Sequence, residues 1–162
     1  MLDIVMYGDP ILERIAEPVT EFGMGIELLV EEMFDAMKRD HGIGLAAPQI
    51  NLSKRIFVIE ADDDMKRVFI NPEIIMTSPD LAEYEEGCLS FPGLYFMVKR
   101  PASLRIQAFN EKGRPFSLDA DGLLARVILH ENDHLDGKLF IDRITPLKKA
   151  RALLHFSKML KM

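Results

Sequence analysis

Between Arg55 and Leu118 the sequence is a succession of short strand-like runs with no helical period between them. This feature constrains the fold most, because parallel strands need long crossover connections, usually helices, and there is no room for them here. The runs are Arg55–Glu60, Val68–Pro72, Leu94–Val98, Ser103–Phe109 and Pro115–Leu118, rich in β-branched and aromatic residues. Asp62-Asp63-Asp64 reads as a turn between the first two. Asn110-Glu111-Lys112-Gly113 is a hairpin signal between the last two.

Helical patterns flank the strands. Asp9-Pro10 opens a short helix, with Asp as N-cap and Pro in the first position. Ile26, Leu29, Met33 and Met37 recur at helical spacing, and Gly42 is the expected left-handed cap after His41. Helices are expected over Asp121–His134 and Pro146–Leu160. Leu89-Ser90 is expected to lead into a turn at Pro92-Gly93. The predicted class is α+β: antiparallel β-sheets around a central helix, with an N-terminal and a C-terminal helix. Residues 1–162 read as one domain, a length ordinary for a single core.

Charge divides unevenly. Residues 145–162 hold Lys148, Lys149, Arg151, Lys158 and Lys161 with no acid, leaving 15 basic against 26 acidic residues in the body. An acidic body argues against non-specific nucleic-acid binding by the domain itself, and no specific DNA partner is expected. A single cysteine excludes an internal disulfide framework and points to a reducing compartment. The first six residues lack the basic region of a secretory signal, and no apolar run is long enough for a membrane span.

The chemistry concentrates in His130-Glu131-Asn132-Asp133-His134, an H-E-x-x-H sequence within an expected helix. Four residues advance a helix by about 400°, so the two imidazoles share one face and can bind one metal ion. Glu131 sits aside, within reach of a water on such an ion. A catalytic centre of this type needs a third protein ligand and an open position. Cys88, in Glu86-Gly87-Cys88-Leu89-Ser90, is a candidate, although spacing alone does not bring it to the histidines. A third segment, Gly42-Ile43-Gly44-Leu45-Ala46-Ala47-Pro48-Gln49, is a narrow strip of small residues ending in an amide; it lacks the spacing and Lys of a phosphate loop.

Taken together, these three segments resemble the peptide deformylase family over nearly the whole chain. Ile70-Asn71-Pro72, Gly122-Leu123-Leu124-Ala125-Arg126 and Leu135-Asp136-Gly137-Lys138-Leu139-Phe140 fit the same pattern. The short helical C-terminus resembles the common bacterial form. Leu129, where many members have Gln, and Leu94-Tyr95-Phe96, a stretch where some carry a peptide-contacting Arg, depart from it.

The resemblance implies a cytoplasmic bacterial hydrolase that removes the N-formyl group from N-formylmethionine on nascent polypeptides and releases formate. It makes Cys88, His130 and His134 ligands of one divalent ion: Fe2+ in the cell, with Zn2+, Ni2+ or Co2+ as alternatives. Metal-bound water is the implied nucleophile and Glu131 the general acid/base. Gln49 and the Leu89 N–H become oxyanion donors. Ile43 and Gly44 would pair with an extended substrate. Leu123 and Val127, on the helix face of the histidines, are expected with Ile43 to wall the methionine pocket.

Lys148, Arg151, His155 and Lys158 share a face of the last helix, and the resemblance implies a ribosome contact there. Leu147, Ala150, Leu153, Leu154, Phe156 and Leu160 are expected to supply its docking side. Alternative readings are an H-E-x-x-H metallopeptidase and a silent peptide- or ribosome-binding relative.

Overall fold

The computed structural model describes residues 2–61 and 63–161. Seven strands and three α-helices follow in order: α1 Met24–Arg39, β1 Gly44–Ala46, β2 Ile56–Glu60, β3 Lys66–Thr77, β4 Leu81–Cys88, β5 Phe91–Pro101, β6 Ser103–Phe109, β7 Pro115–Asp121, α2 Gly122–Leu135 and α3 Pro146–Leu160. Strands β1-β2-β3-β6-β7 form one antiparallel sheet, and β4-β5 form a separate hairpin. The α+β class and the helical ends agree with the sequence reading.

The five-stranded sheet is covered on both faces. Along β2, Phe57 and Ile59 pack with Ala125, Val127 and Ile128 of α2, while Ile56 and Val58 pack with Val30, Met33 and Met37 of α1. This explains why β2 reads as a continuous apolar run: a strand buried on both faces has no polar side to alternate. A third cluster joins Phe91, Leu94 and Val98 of β5 to Phe140, Ala152 and Phe156. Helix α2 thus lies between the large sheet and the β4-β5 hairpin, its side chains buried nearly all round. Polar residues on such a helix must find partners inside the protein.

Several local expectations are corrected. The left-handed residue after α1 is His41 (φ 61°), not Gly42. Gly42 instead lies against the Leu89 side chain, whose Cδ1 would stand 2.7 Å from a Cβ there. The segment 44–46, read from the sequence as part of a narrow strip of small residues, is an edge strand. Strand β4 was not anticipated, because Leu81–Cys88 is rich in Glu and exposed along most of its length. The turn joining β4 to β5 is Leu89-Ser90. Pro92-Gly93 is part of β5, where the register with β4 shifts past Gly87. Of the Asp62-Asp63-Asp64 turn, Asp62 lies outside the described residues, and Asp64 adopts φ 55°. On α3 the docking side is Ala152 and Phe156, helped by Leu153 and Met159. Ala150, Leu147, Leu154 and Leu160 are exposed, the three leucines at 61%, 59% and 66%.

Candidate metal centre

Helix α2 presents His130 and His134 from successive turns, with ring centroids 5.2 Å apart. The end of β4 brings Cys88 to them: its Sγ lies 3.4 Å from His134 Nε2. The ligand atoms of Cys88, His130 and His134 all lie within 4.8 Å of one another. Metal–nitrogen and metal–sulfur bonds of about 2.0–2.3 Å put tetrahedral ligand atoms roughly 3.5 Å apart, so one divalent ion fits among the three with small adjustment. Two imidazoles and a sulfur are also the right donor chemistry for a transition metal.

Supporting the histidines is a buried charge network that the sequence reading missed. Glu86 Oε1 accepts from His130 Nδ1 at 2.9 Å, which leaves Nε2 of that ring for a metal. Arg100 donates to both oxygens of Glu86, at 2.7 and 3.0 Å. Arg126 donates to Glu86 at 2.5 Å and to the Val98 and Ala82 carbonyls at 2.9 and 2.7 Å, tying α2 to both strands of the hairpin. Asp133 accepts from Arg100 and Arg143. The available signal was positional: Arg126 stands one helical turn before His130, and Glu86 two residues before Cys88. Charges on an otherwise apolar helix need buried partners.

These surroundings set the protonation states. Burial opposes the Glu86 anion, but hydrogen bonds from His130 and Arg100 outweigh it and hold Glu86 well below the usual carboxylate range. Burial likewise opposes a charged His130, yet hydrogen bonds to Cys88 and Glu86 raise it to about 10. His134 is pushed down to about 3 by burial and by the neighbouring His130. Burial raises Glu131 to about 7, and its Oε1 is buried with no hydrogen-bond partner among the described residues. A carboxyl group poised near neutrality can both accept and return a proton.

The site opens into a cavity of about 1070 Å³ lined by Ile43, Gly44, Gln49, Cys88, Leu89, Leu123, Val127, His130 and Glu131. Every candidate from the sequence therefore meets in one place, except that His134 sits behind the wall, 1% exposed. Gln49 is oriented: the Ala46 N–H donates to its Oε1 at 3.0 Å, so its Nε2 faces Cys88 Sγ and Ser90 Oγ at 3.5 and 3.3 Å. Among the described residues strand β1 pairs only with β2, which leaves its other edge free beside the cavity.

A family model described as polypeptide deformylase matches residues 1–150. The peptide deformylase of Cellvibrio japonicus is 47% identical over 153 residues, spanning 93% of this chain and 90% of that protein. The crystal structure of a peptide deformylase from Legionella pneumophila matches with a TM-score of 0.93 at 40% identity, covering 99% of this chain and 96% of that one. A peptide deformylase from Synechococcus elongatus, solved in complex with actinonin, matches with a TM-score of 0.91 at 41% identity, covering 96% and 86%. By its sequence, its fold and the three donors gathered at one point, the chain belongs to the polypeptide deformylase family.

Proposed function

We propose that residues 1–162 act as one catalytic unit that removes the N-formyl group from N-formylmethionine at the start of nascent polypeptides, with Cys88, His130 and His134 holding the ion and Glu131 moving the proton. The chain is a metal-dependent hydrolase, and its products are formate and a free amino terminus. The observation that carries the reading is the convergence of the three donors beside a buried, unpartnered carboxylate.

A divalent ion held by Cys88, His130 and His134 would supply Lewis acidity, making water a competent nucleophile near neutral pH and polarising the formyl carbonyl. Glu131 accepts the proton given up by the attacking water and returns it to the leaving amine. Gln49 Nε2 and the Leu89 N–H donate to the oxyanion, a contribution of about 3–4 kcal/mol per donor in comparable sites. The free edge of β1 at Ile43-Gly44 pairs with the extended substrate. Leu123, Val127 and Ile43 receive the methionine side chain in the cavity. The ion is Fe2+ in this reading; Zn2+, Ni2+ and Co2+ suit the same donors. Metal analysis of protein prepared without oxygen, paired with activity, decides among them.

The test is a pair of peptides. A formyl-Met peptide should release formate, and a chelator should stop it. Cleavage of an unformylated peptide at an internal amide would instead mark a metallopeptidase. Binding without either product would mark a silent relative.

The setting is the bacterial cytoplasm, where formylated chains emerge. Helix α3 is the proposed ribosome contact: Lys148, Arg151, His155 and Lys158 are all exposed, while Ala152 and Phe156 hold the helix to the body. Ribosome binding should fall steeply with salt. Neutralising Lys148, Arg151 and Lys158 together should abolish it; unchanged binding would leave α3 as a structural helix.

A further inference from the structure

Residues 2–7 form a strap over two segments that the reaction uses. Its side chains divide: Ile4 and Met6 line the cavity, whereas Val5 and Tyr7 pack on the cluster around Phe91. Its backbone ties both segments down. The Val5 N–H donates to the Gln49 carbonyl at 2.7 Å, and the Tyr7 N–H donates to the Ser90 carbonyl at 2.9 Å. The Tyr7 ring stacks on Phe91 with centroids 4.6 Å apart, which anchors the strap to the start of β5.

Ser90 links the two segments that the strap holds. It follows Cys88 and Leu89 in the turn between β4 and β5, and it is 0% exposed, so it meets neither solvent nor substrate. Its Oγ accepts from Gln49 Nε2 at 3.3 Å. A carboxamide offers one acceptor oxygen and two N–H groups. The Ala46 N–H occupies Oε1, and Ser90 takes one N–H. The other is left toward Cys88, whose Sγ lies 3.5 Å from Nε2. The last torsion of a glutamine is broad and roughly two-fold, so the amide needs partners on both ends to keep one direction.

We propose that Ser90 is a positioning residue: its Oγ, kept in place by the bond from Tyr7 to its carbonyl, sets the direction of the Gln49 amide toward the oxyanion. Ser90 touches no reacting atom and acts only through Gln49. The inference deepens the deformylase reading and rests on it. A donor stabilises developing charge fully only when it is already aimed at it, so Ser90 contributes to rate rather than to substrate affinity.

The test is Ser90→Ala, made in the wild type and in Gln49→Ala, with each protein assayed with its ion on a formyl-Met peptide. Alone, it should lower kcat about tenfold, the scale of one hydrogen bond. KM should stay within about twofold of the wild type, and the ion should be retained. In the Gln49→Ala background the same change should lower kcat by less than about threefold, because the amide that it orients is gone. NMR relaxation of the Gln49 side-chain nitrogen gives a readout without turnover. In the metal-free protein this amide should be rigid in the wild type and mobile in Ser90→Ala. An unchanged kcat, a drop as large without Gln49 as with it, or an equally rigid amide overturns the proposal and leaves the deformylase reading standing. Loss of the fold or of the ion from Ser90→Ala makes the hydroxyl a part of the scaffold and overturns it too. No formate from the wild type overturns the deformylase reading, and this proposal with it.

Discussion

Gly44 and Glu131 occupy adjoining space: a Cβ at residue 44 would stand 2.7 Å from Glu131 Oε2 and 2.8 Å from Val127 Cγ1. The small residue on the edge strand is therefore what lets the carboxylate lie where it does. Glu131 is buried, so a side chain at residue 44 would force its carboxylate to shift within the site.

Gly44→Ala should fold yet lose activity. Overpacking here should destabilise by about 1–3 kcal/mol. Displacing a catalytic group by about 1 Å can lower the rate about 100-fold. Steady-state kinetics should show the loss chiefly in kcat, with the metal content intact. A variant with unchanged kcat would mean that Glu131 does not act from the observed position.

Glu86 is the joint between the metal centre and the hairpin, so Glu86→Gln should harm both. Two arginines and a histidine converge on it. Weakening such a buried charge cluster should cost about 3 kcal/mol. Freeing His130 Nδ1 from its carboxylate should lower metal affinity about 10–100-fold. Because the Glu86 pKa is depressed, its stabilisation is complete above the ordinary value of 4.5 and drains away as the pH falls below it. Acid unfolding of the metal-free variant should therefore be less steep than that of the wild type. Equal steepness would remove Glu86 from the acid-sensitive network.

Protonation of the metal-free site leads to a third expectation. With His130 raised to about 10, its ring carries a proton at neutral pH that an ion must displace. Titrating metal into the apoprotein in buffers of different ionisation enthalpy should report net proton release at pH 7. An enthalpy independent of the buffer would contradict a protonated His130 in the metal-free site.

Glu131 works in the opposite sense to Glu86. Its pKa is raised by burial from 4.5 to about 7, so the metal-free fold loses stability as the pH climbs through that window. Glu131→Gln removes the ionisation. It should make the apoprotein more stable than the wild type above pH 7, by on the order of 2–3 kcal/mol, and leave little difference below the ordinary value of 4.5. Chemical denaturation at the two ends of the window checks this. No pH dependence in the difference would show that Glu131 ionises freely.

Much of the site was legible because its chemistry is local in sequence. The turn spacing of His130 and His134 fixes their common face whatever surrounds them. The wall residues Leu123 and Val127 follow from the same period, and both line the cavity. Cys88 was different: only the family resemblance tied it to the histidines, since contacts between residues 88 and 134 depend on a strand pairing that no local pattern encodes. The same reason hid Glu86, Arg100 and Asp133, which look like surface charges until tertiary packing buries them. Strand β4 escaped because its exposed face is acidic, and Gly44–Ala46 was not read as a strand because three residues are too few to show a strand period. On α3, helical spacing identified an apolar majority but not which part of it meets the body. Phe156 does so by packing its ring 5.3 Å from Phe91.

The most direct measurement joins metal content to formate release in one preparation of Glu131→Gln, assayed beside the wild type on a formyl-Met peptide. In this account Glu131 moves a proton and holds no metal. The variant should therefore bind one ion per chain, as the wild type does, and release formate at least 100-fold more slowly. Loss of the ion from the variant, or formate release within a few-fold of the wild type, would contradict the account.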